Sequence, residues 1–191
     1  MSLRVPVEYI LQLSGDPLFR IYAMLVAGDD CFADYPCQVY ADSTHPASVY
    51  RRVVGYYAVH HRPVGAPAPG AVMVLNDGAI AVFCGDPDDA VGTAQTLTPV
   101  YRLEPAGPLA VPTGLVWIRF AETIMAETRG VAITALGYQV VEVPTYAPFA
   151  AWLRAASGNV AEALTGLARL AALPGVENVA PQMLMERKGR A

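Results

Sequence analysis

The sequence predicts an α+β protein in two parts, a β-rich domain over residues 1–112 and a mixed module over residues 113–191. Three observations carry that expectation. Up to about Pro112 the apolar runs are short and rich in Val, Ile, Tyr and Phe, as half-buried strands are. The stretch LEPAGPLAVPTG, residues 103–114, holds Pro and Gly that can continue neither a helix nor a central strand, which makes it the domain boundary. Beyond it, segments of strand-like alternation take turns with segments of helical spacing.

In the first part, FRIYAML, VYRRVVGYYAVHH and AVMVLNDGAIAVF read as strands. GDPLFRIYAMLVAG has room for a short helix as well. The last of the three strand segments carries Asn76-Asp77-Gly78 between apolar alternations. Those residues tolerate positive φ, so a hairpin is expected there. RPVGAPAPG, residues 62–70, is a connector.

In the second part, LVWIRF (115–120) alternates as a strand. Trp117 and Arg119 should share one face, and Val116, Ile118 and Phe120 the other, packed on Leu164 and Leu167. ETIMAETRGVAITALG spaces Ile124, Val131 and Ala135 as a helix and ends at Gly137, which suits a left-handed cap. YQVVEV (138–143) and FAAWLRAA (149–156) are strands. Asn159 with Glu162 resembles a capping box, followed by Val160, Leu164, Leu167 and Leu170 on one helical face. Pro174-Gly175 ends that helix, and VENVAPQMLME is the last strand. The order βαββαβ is that of a ferredoxin-like module, an antiparallel sheet with two helices on one face.

Composition narrows the function. Charged residues make up 16% of the 191-residue chain and apolar residues 54%. The usual charged share is roughly a quarter. The longest apolar run, Ile21–Gly28, falls short of the roughly 20 residues of a membrane span. The excess apolar content therefore belongs to core or to an interface, with no membrane role expected. A net charge of −4 without a basic stripe argues against nucleic acid, and Arg187, Lys188 and Arg190 read as a solvated tail. No signal peptide is visible in MSLRVPVEYILQ. The expected location is the cytoplasm, or export with a partner if a leader has been trimmed.

Catalytic patterns are sparse. Cys31, Cys37 and Cys84 are an odd set without a CxxC pair, and Cys31, Cys37, His60 and His61 match no zinc spacing. They read as idle or buried thiols. Ser43 and Ser48 lie near His45 but in no GxSxG elbow, and Cys84 has no nearby base. Asp86, Asp88 and Asp89 in GDPDD lack the spacing of a calcium loop and read as an acidic turn. No nucleophile, base, metal or cofactor is nominated, and the expectation is a protein that is not an enzyme.

A family resemblance lies in GLVWIRFAE and, after the first helix, in ALGYQVVEVPTYAPFAAWLRAASGNVAEALTGLARLAALPGVENVAPQMLME. Residues 113–186 resemble the propeptides of subtilisin-like serine proteases, most of all the fervidolysin type of N-terminal prodomain. The resemblance implies a partner, a subtilisin-like protease, which the propeptide inhibits and helps to fold. It also implies a role for the tail Pro181, Gln182, Met183, Leu184, Met185 and Glu186, which would occupy the substrate cleft as an extended strand. Pro181 disfavours helix there. Met185 suits an apolar specificity pocket. The protease motifs Asp-Ser-Gly, His-Gly-Thr and Gly-Thr-Ser are absent from the chain, so it reads as an excised prodomain or a separate companion. Two other readings stand beside this one: an ACT-like domain that senses a small molecule, and an enzyme whose chemistry lies in residues 1–112. A metal-carrier reading falls for want of paired cysteines in the first loop.

Overall fold

The computed structural model describes residues 30–45, 47–63, 65–87 and 96–186. FRIYAML, Asp88, Asp89, Arg187, Lys188 and Arg190 lie outside them. The chain divides into one unit over Met1–Ala33 and another over Asp34–Ala191. In the first, the Asp30 carboxylate accepts from the Phe32 N–H at 3.0 Å and its carbonyl from the Ala33 N–H at 2.9 Å, closing a turn. All that follows concerns the second.

The described residues of that unit form nine strands: β1 (Gln38–Tyr40), β2 (Val49–Val59), β3 (Met73–Leu75), β4 (Ile80–Cys84), β5 (Leu97–Leu103), β6 (Leu109–Phe120), β7 (Tyr138–Glu142), β8 (Ala150–Ala155) and β9 (Val176–Met185). They form one sheet in the order β3-β4-β2-β5-β6-β8-β7, with β1 added on β2 and β9 on β6. Every pairing is antiparallel. The described helices are short: α1 (Gly130–Ala135), α2 (Val160–Thr165) and α3 (Leu167–Ala171). None is long and apolar enough to cross a membrane.

This corrects the expected fold class. The chain is not a β-rich domain followed by a ferredoxin-like βαββαβ module, because the described residues are dominated by a single nine-stranded antiparallel sheet with only short helices. The stretch read as a domain boundary, residues 103–114, holds a hairpin turn and the start of a strand. β5 ends at Leu103, a turn with Ala106 at φ 55° follows, and β6 begins at Leu109. Residues 112 and 113 both lie inside β6. A strand can hold Pro112 and Gly114 because the β6–β9 register shifts between Pro112 and Val116, where the ladder is already interrupted. Gly114 takes φ 84° at that bulge, with a Val160 methyl only 3.1 Å from where its Cβ would stand.

β6 is thus the spine of two half-sheets. Its first half pairs with β5 through Ala110 and its second half with β8 through Leu115–Arg119. β9 follows it along the opposite edge, from Phe120 back to Ala110. On one face of the second half, Val116, Ile118 and Phe120 are fully buried with Leu153, Ile133, Leu170 and Val179 beneath the helices. The alternation expected in LVWIRF holds. One partner differs: Leu167 packs against this cluster, whereas Leu164 belongs to another, with Val39, Tyr50 and Tyr101.

The helices are shorter than their sequence spacing implies, for local reasons. A 3-10 turn over Ala126–Arg129 replaces the first part of the expected helix, and α1 begins at Gly130. Val131, expected on the apolar face, is 87% exposed, while Ile133 is fully buried. Two residues apart on a helix is about 200°, so the two cannot share a face. Gly137 does take the left-handed conformation, φ 84°, and its N–H returns to the Thr134 carbonyl at 2.9 Å. The second expected helix is divided at Gly166, a position open to glycine alone, since a Cβ there would run into the Tyr138 ring. Tyr138 donates its hydroxyl proton to the Ala163 carbonyl at 2.8 Å, which holds the ring in place. The break divides the expected face, sending Val160 and Leu164 to one cluster and Leu170 to the other.

Asn159 caps α2 as expected, its Oδ1 accepting from the N–H groups of Ala161 (2.8 Å) and Glu162 (3.4 Å). The return half of the box runs through Ser157, which donates to Glu162 Oε2 at 2.6 Å and accepts from the Asn159 N–H at 3.2 Å. The Asn76-Asp77-Gly78 hairpin also forms, joining β3 to β4 with positive φ at all three residues.

Candidate functional site

The face of the second half-sheet turned away from Val116, Ile118 and Phe120 is built by the same alternation. Trp117 on β6 stands directly opposite Trp152 on β8, with Ala180 of β9 on its other side. The two indoles meet at 4.9 Å between centroids, tilted by 59°, and both are half-buried. Tilted aromatic pairs at this separation add to what burial alone contributes. Ala180 leaves room beside the larger rings.

Arginines flank the pair. Arg119 lies over the Phe149 ring at 5.4 Å and reaches Glu122 at 3.5 Å. Its Nε is 3.4 Å from Glu177 Oε2, close enough for charge attraction but without hydrogen-bond geometry. With its amide turned carbonyl-first, Gln139 accepts from Arg154 Nε at 2.6 Å and Nη2 at 3.2 Å. Tryptophan and arginine on one partly exposed surface are the side chains that dominate protein–protein binding energy.

The residues expected to form a protease-binding tail, Pro181 to Glu186, lie at the end of β9. The backbone is extended, as expected, but it stays in the sheet: Pro181 faces Val116, Met183 faces Pro112, Leu184 faces Val111 and Met185 faces Ala110. Gln182 is tied at the bulge, where its Oε1 accepts from the Thr113 hydroxyl at 2.7 Å, and Thr113 Oγ1 in turn accepts from the Leu115 N–H at 3.1 Å. Met183 and Met185 pack against the cluster of Val39, Tyr50 and Tyr101, and Leu184 against that of Val82, Val100 and Val111. Leu184, Met185 and exposed Glu186 also line one side of a cleft of about 920 Å³, whose other side is formed by Gly65, Ala66 and residues Val74–Gly78.

The other sequence candidates do not converge. His60 is buried, its Nε2 2.9 Å from the Thr98 hydroxyl, and burial, with the neighbouring His61 second, pushes its pKa down to about 4. His61 takes φ 57° at the end of β2, with the two imidazoles 6.2 Å apart. Cys37 and Cys84, and Cys31 in the first unit, are exposed, so of the two expectations for these thiols, idle or buried, burial does not hold. Among the described residues, no three His, Cys, Asp or Glu side chains gather where they could hold a metal.

Ser43, His45 and Asp42 are close but not arranged as a nucleophile and its base. Ser43 Oγ accepts from the Val179 N–H at 2.8 Å and donates to Asn178 Oδ1 at 3.1 Å, while His45 Nδ1 is 2.8 Å from the Thr44 hydroxyl. Burial pushes the Asp42 carboxyl up, but bonds from the Thr44 hydroxyl and amide, with His45 nearby, outweigh it and leave the pKa below its usual value. Asn178 Nδ2 also donates to Asp42, at 3.2 Å, and the Ser43 N–H donates to the Val179 carbonyl at 3.0 Å. This turn clamps the outer edge of β9 at residues 178–179. Sequence reading missed it because the partners lie about 135 positions apart. Trp117 had been placed on its face, but its pairing with Trp152 depends on a β6–β8 register that no local pattern encodes.

Comparison with protein-family models, with curated proteins and with solved structures found no match.

Proposed function

We propose that the chain binds and inhibits a subtilisin-like serine protease and assists its folding, as a prodomain or separately encoded companion. The reading begins from the resemblance of residues 113–186 to subtilisin propeptides. The observation that carries it further is the half-exposed face bearing Trp117, Trp152, Arg119 and Arg154 on the side of the sheet opposite the helices. Such a face offers a docking surface of shape and apolar contact, and binding of this kind needs no titrating nucleophile in the chain. The end of β9 supplies the second element, an extended segment with apolar side chains suited to a cleft that binds substrate as a strand.

The test is titration of a subtilisin-like protease with the wild-type chain and with Trp117→Ala/Trp152→Ala, circular dichroism confirming the fold. Losing two central tryptophans should weaken inhibition at least about tenfold, since each such truncation commonly costs more than 1 kcal/mol. Equal inhibition by both proteins would remove the Trp face from the interface. No inhibition by the wild-type chain across a panel of subtilisin-like proteases would overturn the proposal itself.

A further inference from the structure

Resting on the protease-binding reading, we infer that the first half-sheet is a holder for the inhibitory tail. It keeps Gln182–Met185 as a strand of its own until the protease takes them over. The same residues cannot at once complete the β6 ladder and lie as a substrate-like strand between the walls of a cleft, because a backbone edge bonded to β6 is closed to a second partner. In the structure that edge is taken, with Met183, Leu184 and Met185 facing Pro112, Val111 and Ala110.

Release has a natural dividing point. The β6–β9 register shifts between Pro112 and Val116, so β9 is held in two blocks rather than by one unbroken ladder. On the far side of the shift, Val179 is buried in the core under the helices, and the Ser43 clamp holds residues 178–179. On the near side, Gln182 through Met185 are only half-buried. Pro112, opposite Met183, has no N–H to give to a ladder. The near block can therefore open while the far block stays. This gives the β-rich first half a role: it shields the apolar tail in the free protein and sets a threshold for inhibition. A binding-competent state populated as a fraction of the whole lowers apparent affinity by that fraction.

A cross-link across the ladder tests this. In a background with Cys31, Cys37 and Cys84 changed to Ser, Ala110→Cys with Met185→Cys joins two facing residues of the near block. Inhibition of a subtilisin-like protease by the oxidised protein should fall at least about tenfold below that of the same protein reduced, and recover on reduction. A control pair away from β9 and the Trp face, Tyr40→Cys with Val49→Cys on the β1–β2 ladder, should show no such dependence on oxidation. The cross-linked variants could misfold, so hydrogen exchange on the wild-type chain supplies a second measurement: of the Ala110 and Val111 amides, which point to opposite edges of β6, the one turned to β9 should lose protection when the protease binds. Equal inhibition by the oxidised and reduced forms, or unchanged protection at that amide in the complex, would overturn the holder while leaving protease binding in place. A wild-type chain that binds no such protease would overturn both.

Discussion

The two ends of β9 carry similar apolar residues yet sit in different surroundings. Val176–Ala180 runs along the second half of β6, with Val179 3% exposed, beneath a layer of helices. Gln182–Met185 runs along the first half of β6 with every residue half-buried and no fully enclosed side chain. What separates them is cover rather than composition. Helix residues reach the near end too, since Met183 and Met185 pack on the cluster that holds Val160 and Leu164 of α2, but there they leave the β9 side chains half-buried, whereas Val179 is enclosed.

The sharpest way to break this comparison is to damage the enclosed half. Phe120→Ala removes a fully buried ring from the cluster under the helices. It should lower stability by about 3–5 kcal/mol. Because β6 and β9 cross both halves, loss should be cooperative, with Trp fluorescence from the second half and far-ultraviolet dichroism falling together in urea. Separate transitions would mean that the halves fold independently.

Acid probes the other half. His60, buried against Thr98 in the first half-sheet, is neutral in the fold down to about pH 4, while an unfolded histidine takes up its proton near 6.5. Between those values the unfolded chain binds the extra proton, so stability falls as pH drops from about 6.5 to about 4 and levels off below. The gap sets a ceiling of about 3 kcal/mol. His60→Gln should flatten that part of the stability profile relative to wild type. Parallel profiles would show that His60 ionises freely in the fold.

The smallest effect concerns the tail itself. Leu184→Ala removes a half-buried side chain packed on Val82 and Val111. It should cost about 1–2 kcal/mol, below the range for enclosed leucines. The near-ultraviolet signal of the Trp117–Trp152 pair should be unchanged, because the pair lies in the other half. A loss matching that of Phe120→Ala would show the two ends of β9 to be equally embedded.

Much of the local structure was legible from sequence. The Asn76-Asp77-Gly78 turn, the Asn159 cap, the Gly137 stop and the two faces of residues 115–120 follow from φ preferences, hydrogen-bonding side chains and the period of two. The helices were over-extended because spacing alone reveals neither the 3-10 turn over Ala126–Arg129 nor the Tyr138 ring beside Gly166, where the second helix is divided. Pro112 and Gly114 were read as a boundary because, in isolation, they break a strand. Only the pairing with β9 supplies the bulge that accommodates them.

By itself, then, the chain determined most turns, caps and strands, which depend on neighbours within a few residues, but not β1, β5 or the first half of β6. Tertiary structure alone decided that β9 lies along both halves of β6, that Trp117 meets Trp152, and that Ser43 closes the edge at Val179. These are contacts between residues far apart in sequence. Their register is set by which faces are buried together, and no local propensity carries that information.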